Sequence, residues 1–365
     1  MMDGRAVSSR RNLPASPGDR AARKAGAAPA RSRLQAKRST RRAGRGPSPK
    51  HPVIRIGISS CLLGEAVRWD GGHRRDGLIA DLLSRYVHFV PVCPEMEAGM
   101  GVPREAVRLV GAAQAPRMVG VVSGRDWTAT LRAYARVRVR RLARLDLSGY
   151  LLKKDSPSCG MTKVRVHSGK GRASRKGVGL FARELQRHLP LLPLEQEDRL
   201  HDAALREHFI ERVLAYRRLK DLLDSSCRCN DLVAFHSDHE LLLLAHGRGH
   251  CRGLERLTAP GTRPRWPSPG KMYADRFMAV LRVRATVAGH GNAMQRAARF
   301  LEDHLGAGEK RELRKAMADY RKSRAPRSVP LALLRRHARR QDVAYLQRQI
   351  YLHPHPLELK LLNHA

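Results

Sequence analysis

The chain has 365 residues, enough for two domains and a substantial core. Its 71 Lys and Arg against 33 Asp and Glu give a formal net charge of +38, so anionic partners are the ones its surface attracts. No apolar run reaches membrane-spanning length, the strongest being Leu241-Leu242-Leu243-Leu244-Ala245, and six cysteines in a chain of this size do not make a disulfide framework.

Residues 1–52 read as a disordered basic tail rich in Arg, Ala, Pro, Ser and Gly. The first fifty residues hold 14 Lys and Arg against two Asp, a net +12. Such a tail can anchor nucleic acid electrostatically, and it fits equally an overlong start or an extension without a folded role. Arg10-Arg11 is followed by Asn12-Leu13-Pro14-Ala15-Ser16-Pro17, which lacks the hydrophobic segment of an export signal, so a cytoplasmic protein is expected.

Residues 53–194 have the rhythm of a parallel α/β sheet. Val53–Ser60, Val87–Val92 and Ser148–Lys153 read as short buried strands separated by helix-like stretches. Each expected strand runs into a turn carrying a cysteine: Cys61 in Ser59-Ser60-Cys61-Leu62-Leu63-Gly64, Cys93 in Val92-Cys93-Pro94-Glu95, and Cys159 in Ser156-Pro157-Ser158-Cys159-Gly160. The crevice beyond the carboxyl ends of parallel strands is where ligands bind, so three thiols there make a candidate metal site. One such cysteine alone would be an ordinary buried hydrophobe. Thiolates suit zinc, copper(I) and iron–sulfur clusters, and a structural zinc takes four protein ligands. Three suit an incomplete shell, such as a 4Fe–4S cluster with one iron left open. Between the second and third strands a helix is expected after Asp126, with Leu131, Tyr134, Leu142 and Leu145 for packing. Arg132, Arg136, Arg140 and Arg144 recur on it every four residues, a basic face that is either solvated or a surface for nucleic acid.

Ser60-Cys61-Leu62-Leu63-Gly64, Val67-Arg68-Trp69-Asp70-Gly71, Cys93-Pro94-Glu95, Pro103-Arg104-Glu105 and Ser156-Pro157-Ser158-Cys159-Gly160, in that order, resemble the 2-thiouracil desulfurase family. The resemblance runs from Val53 to Leu194. It implies a 4Fe–4S cluster on Cys61, Cys93 and Cys159, a thiolated pyrimidine as sulfur donor, and acid/base roles at the positions of Glu95 and Ser156. The chemistry is consistent with both residues: replacing a thiocarbonyl sulfur by water needs a proton moved and a thiophilic acceptor. Glu95 lies two residues beyond one proposed ligand and Ser156 three before another. Away from the cysteines, a turn carboxylate and a capping hydroxyl would be the ordinary readings of the two.

From residue 195 the pattern changes. Glu195-Gln196-Glu197-Asp198 reads as a boundary, and residues 195–365 as an all-α domain with amphipathic helices at Ala203–Leu223, Leu232–His246, Met272–Leu305, Lys310–Arg321 and Val329–Arg340. The prolines between Pro260 and Pro269 read as an interrupting loop. Arg199-Leu200-His201-Asp202, Phe209-Ile210-Glu211-Arg212-Val213, Leu232-Val233-Ala234-Phe235-His236, Tyr320-Arg321, Val329-Pro330 and Tyr351-Leu352-His353-Pro354-His355-Pro356 resemble the YbgA-like C-terminal domain, whose function is uncertain. The chain departs from that pattern at Arg296, where a histidine is expected downstream of Asn292, and at Ser323, where a turn glycine is expected. Cys227, Cys229, His246, His250 and Cys251 offer a second set of soft ligands, but the Cys-x-Cys spacing is tighter than in common zinc knuckles, so ordinary surface or core residues are expected. The His353–Pro356 motif reads as an extended segment packed on the helices.

The expectation for the whole chain is a two-domain iron–sulfur desulfurase acting on a thiolated base, nucleoside or related small molecule. The alternative is a nucleic-acid-associated repair or stress protein whose cluster is structural or redox-sensing and whose basic surfaces do the work.

Overall fold

The computed structural model describes residues 53–168, 173–224, 229–258 and 269–353. The basic tail, Cys227, the side chains of Cys229, His250 and Cys251, residues 259–268 of the expected proline-rich loop and the segment from Pro354 onward lie outside what is described.

Strand β1, Arg55–Ser59, leads into a single 3-10 turn at Ser60–Leu62. Two further helical turns, Leu78–Leu82 and Leu83–Arg85, precede β2, His88–Val92, and the four-residue helix α1, Pro94–Glu97. Then follow β3 (Val107–Val110), β4 (Arg117–Gly120), helix α2 (Thr128–Ala143) and β5 (Leu147–Leu152). After β5 come β6 (Val164–His167), β7 (Ser174–Gly177), helix α3 (Leu180–His188) and β8 (Leu194–Gln196). The first sheet has the order β2-β1-β5-β8 with every pair parallel, and it contains the three expected strands. Because the chain moves from β1 outward to β2 and then to β5 on the other side of β1, the strand order reverses at β1. This reversal places the loops after β1, β2 and β5 around one crevice.

A second sheet, β4-β3-β6-β7, was not expected. Its strands are four residues each, and only β6, Val164-Arg165-Val166-His167, alternates buried apolar with more exposed positions, while β7 is Ser174-Arg175-Lys176-Gly177, so they carry too little pattern to stand out. Strand β8 was also missed, at the place read as a boundary. Its acidic run looks solvated, yet Glu195 is buried between Arg199 and Arg212, and β8 pairs with β5 in the register Leu151↔Glu195.

A 3-10 segment, Glu197–His201, leads into helix α4, Ala203–Asp224. Phe209, Ile210, Val213 and Leu214 of α4 pack with Ile56, Ile58 and Leu151 on one face of the parallel sheet. On the other face Tyr150 and Leu152 pack with Ala135, Val139 and Leu142 of α2 and with Phe181 and Leu185 of α3. The sheet is therefore covered on both sides, as a parallel sheet must be. The approach of α4 depends on Gly149, where an added Cβ would stand 2.8 Å from Val213 Cγ2. Asp146 joins the same helix to the turn before β5 through ion pairs to Arg217 and Lys220.

The remaining elements are helical: α5 (Cys229–His246), α6 (Arg248–Thr258), α7 (Pro269–Arg282), α8 (Val287–Arg299), α9 (Ala307–Arg321), α10 (Ser328–Arg340) and α11 (Ala344–Arg348). Leu241, Tyr273, Phe277, Met294 and Leu334 lie in their common core. The single helix expected over Met272–Leu305 is two helices. Thr286 ends the break as the N-cap of α8, its hydroxyl accepting from Gly289 N–H at 3.0 Å, a signal masked by apolar spacing that continues on both sides. In α2 the packing positions are Leu131, Ala135, Val139 and Leu142, whereas Leu145 lies past the helix end and is exposed. Arg132 donates to the Pro116 carbonyl at 3.2 Å, and Arg136, Arg140 and Arg144 are exposed. No described helix is long and apolar enough to cross a membrane.

Candidate active site

Cys61, Cys93 and Cys159 line one cavity of about 350 Å3 at the carboxyl ends of β1, β2 and β5. Cys61 sits in the 3-10 turn directly after β1, and its carbonyl accepts from Arg74 N–H at 2.9 Å. Cys93 is the N-cap residue of α1, where Pro94 pre-sets the first helical dihedral. Its Sγ lies 3.8 Å from the Val67 carbonyl, and its N–H donates to Glu97 Oε1 at 3.2 Å. Cys159 follows β5 in a turn held by the start of α3: Gly179 N–H donates to Gly160 O at 2.8 Å, Leu180 N–H to Pro157 O at 3.1 Å and Phe181 N–H to Ser158 O at 3.0 Å. The free N–H groups of a helix's first turn thus fix the cysteine turn.

All three described cysteines are unpaired thiols, with Cys61 and Cys159 buried. Burial pushes the Cys61 thiol up to about 11, neighbouring Cys93 adds to this, and Lys153 and Arg68 oppose it. Burial raises Cys93 and Cys159 as well, and for Cys159 the charges of Cys93, Glu95 and Cys61 act in the same direction. Without a bound cation the three stay protonated. A thiophilic metal centre would displace those protons and relieve the mutual repulsion of the thiolates. Among the described residues no three His, Cys, Asp or Glu side chains converge closely enough to hold a single metal ion. Thiols on three separate loops suit a polynuclear centre, in which each binds a different metal atom.

Glu95, in α1, reaches the same cavity. Its Oε2 accepts from Nε of Arg104 at 3.2 Å and also pairs closely with Nη2, and its Oε1 accepts from the Ser158 hydroxyl at 2.6 Å. Arg104 is itself 6 % exposed and donates to the carbonyls of Val67 and Gly101 at 3.1 and 2.8 Å, so it cannot swing away from the carboxylate. The hydroxyl that reaches Glu95 is that of Ser158, not Ser156. Ser156 Oγ accepts from the N–H groups of Cys159 and Ser158 at 3.1 and 3.3 Å and lies 3.0 Å from Ser158 Oγ. With the Ser158 proton committed to Glu95, Ser156 donates to Ser158, and the chain of protons runs Ser156, Ser158, Glu95.

Lys153 and Lys154 follow β5 and line the cavity, anchored from the 3-10 segment after β8. Buried Glu197 pairs with Lys153 Nζ through Oε1 and accepts from Lys154 N–H at 2.8 Å through Oε2. Ser59 Oγ accepts from Lys153 N–H at 3.0 Å, tying β1 to the same loop. Trp69 also lines the cavity and is 44 % exposed. Arg104, Ser158 and the Lys153–Glu197 pair had no role in the sequence reading. Pro103-Arg104-Glu105 and the second serine of Ser156-Pro157-Ser158 were the available signals. Of the second set of suggested ligands, His246 has a described side chain and is committed elsewhere: its Nε2 meets Glu211 Oε1 at 2.7 Å and its Nδ1 lies 2.5 Å from the Val283 carbonyl.

Comparison with known proteins gives two matched regions. Residues 56–197 match the family model for 2-thiouracil desulfurase, and residues 240–356 match that for a protein of unknown function, DUF1722. The uncharacterized protein YbbK of Bacillus subtilis is 31 % identical over 108 residues, covering 28 % of this chain and 71 % of YbbK. Among solved structures, the [4Fe-4S]-dependent thiouracil desulfidase TudS is 29 % identical, with 42 % of this chain and 97 % of that one covered and a TM-score of 0.34. The match to residues 56–197 spans all three cysteine loops, Glu95, Arg104 and Glu197, and through it the chain belongs to the 2-thiouracil desulfurase family.

Proposed function

We propose that this chain is an iron–sulfur-dependent desulfurase that removes sulfur from a thiolated pyrimidine, nucleoside or related small molecule, with a 4Fe–4S cluster held by Cys61, Cys93 and Cys159. The observation that carries the reading is the meeting of three unpaired thiols with a hydrogen-bonded carboxylate in one cavity. When bound by three cysteines, such a cluster supplies a thiophilic iron with an open position. The protein's own groups handle the rest. Arg104 and Ser158 hold Glu95 with both oxygens aimed by hydrogen bonds, so the carboxylate is placed to take a proton from water and return it to the product. Ser156 and Ser158 extend this path by two hydroxyls. Trp69 can stack on a pyrimidine ring, and Lys153 and Arg68 bring positive charge to the sulfur ligands. Thiols that must stay reduced suit the cytoplasm.

Anaerobic reconstitution followed by iron and sulfide analysis, with sulfide release from 2-thiouracil as the activity, tests the reading. Cys61→Ser, Cys93→Ser and Cys159→Ser should each lose iron. Glu95→Gln should retain the cluster while turnover falls about a hundredfold or more, the usual contribution of general acid/base catalysis. Iron retained by all three cysteine variants, or salt-dependent nucleic-acid binding with no turnover of any thiolated compound, would refute it.

A further inference from the structure

A second cavity, of about 510 Å3, opens where β8 and α4 meet the end of α7. Three arginines line it, Arg199, Arg212 and Arg282, with Glu195 as the lining carboxylate. Arg212 comes from α4 with a side chain only 11 % exposed. Its Nη2 contacts with Glu195 Oε2 and the Leu194 carbonyl are long, 3.3 and 3.4 Å, and its buried Nε has no hydrogen-bond partner. Glu195 is already shared: its Oε1 accepts from Arg199 Nε at 2.7 Å and from Gln196 N–H at 3.1 Å. Arg282 donates through Nη2 to the Pro190 carbonyl. Each guanidinium carries five donors, and one donor of Arg199 and one of Arg282 are engaged in the hydrogen bonds just given.

Three fixed positive charges against one negative leave a net +2 in a half-enclosed space. Burial lowers the Arg212 pKa, and the nearby charges of Arg199 and Arg282 lower it further against Glu195. A dianion relieves that repulsion, and a phosphate monoester at neutral pH is a dianion with oxygens that guanidinium forks fit. The cavity lies in the size range of small-molecule sites, and Leu189 and Leu192 supply an apolar wall beside the charge. We propose that this cavity binds a phosphate monoester of nucleotide size, its phosphate held by Arg199, Arg212 and Arg282 and its organic part against Leu189 and Leu192.

Calorimetric titration of the full chain at physiological salt with UMP, inorganic phosphate and uridine tests the site. UMP should bind, phosphate should bind more weakly and uridine should not compete. Arg199 and Arg282 are both exposed, so the double variant R199Q/R282Q should keep its circular dichroism spectrum and bind UMP at least about tenfold more weakly, the effect of losing hydrogen bonds to a charged group. Binding of UMP unchanged in R199Q/R282Q would place the nucleotide in the cysteine cavity or on the basic tail and overturn the proposal. Equal affinity for uridine and UMP would overturn it too, as would no binding of UMP or phosphate at millimolar concentration.

Discussion

Ser156 and Ser158 are two residues apart and differ in what each hydroxyl serves. Ser158 donates to Glu95, so Ser158→Ala should cost turnover on the order of tenfold to a hundredfold, the loss of a hydrogen bond to a charged group. Ser156 shapes the Cys159 turn by accepting its N–H, so Ser156→Ala should show mainly as faster iron loss. Steady-state rates and iron release to a chelator on both variants separate the two, and the reverse ranking would remove Ser158 from the proton path. The place of the cysteines and Glu95 at one cavity was legible because each lies in the segment that follows its strand. Ser158 was not, because its partner lies 63 positions away and is brought to it by strands β2 and β5, which flank β1 in the sheet. Ser323 is the converse, a departure from the YbgA-like pattern for which the backbone supplies the physical reason. It stands where glycine was expected, at φ +55°, and closes α9 with Ser323 N–H to Tyr320 O at 2.9 Å and Arg324 N–H to Asp319 O at 2.8 Å. That pairing is a Schellman motif, whose left-handed residue is normally glycine. Ser323→Gly should therefore raise stability by about 0.5–1 kcal/mol in denaturant titration, and a destabilised variant would contradict this reading of the turn.

Helix α3 connects packing to chemistry. Phe181, Ala182 and Leu185 bury its one face against Tyr150 and α2, while its first turn holds the backbone of the Cys159 loop. The junction is Gly179, where an added Cβ would stand 2.4 Å from Ser158 O and 2.9 Å from Cys159 N, so the loop backbone must move. Gly179→Ala should weaken cluster retention and disturb Ser158 together while the buried face of α3 keeps the domain folded. Full iron content and normal turnover in that variant would show that the loop tolerates displacement. The parallel strands, α2, α4 and most of the later helices were legible because a long period survives one or two odd residues. The second sheet, β8 and the α7–α8 break were not. Strands of three or four residues carry barely two periods, and a buried carboxylate such as Glu195 looks solvated until the arginines that pair with it are in place.

For the whole molecule, the contrast between the two ends is electrostatic: the sheet end gathers thiols and lysines, while the helices bury histidines. Burial holds His208 and His290 down to about 4 and His239 to about 3, and it lowers His236 as well. His246 goes the other way. Burial lowers it, but the Glu211 carboxylate and its hydrogen bond outweigh this and raise it, while the same pairing holds Glu211 below the usual carboxylate value. The signs then differ by group. A histidine with a lowered folded pKa binds fewer protons than the unfolded chain below pH 6.5, so stability falls as pH drops from there toward its folded value. The His246 contribution is complete below pH 6.5 and is lost only as pH rises through its higher folded pKa. That of Glu211 is complete above about pH 4.5 and is lost as pH falls through its lower folded pKa. Between pH 6.5 and 5 the pair is therefore constant, and the three strongly lowered histidines set the slope, each costing at most about 1.4 kcal/mol per pH unit. Thermal unfolding at constant ionic strength should show Tm falling on the order of 10 °C from pH 7 to pH 5. A flat or rising Tm over that interval would mean that these histidines become solvated or paired in the native protein and that the helical core is more open to water than its packing implies.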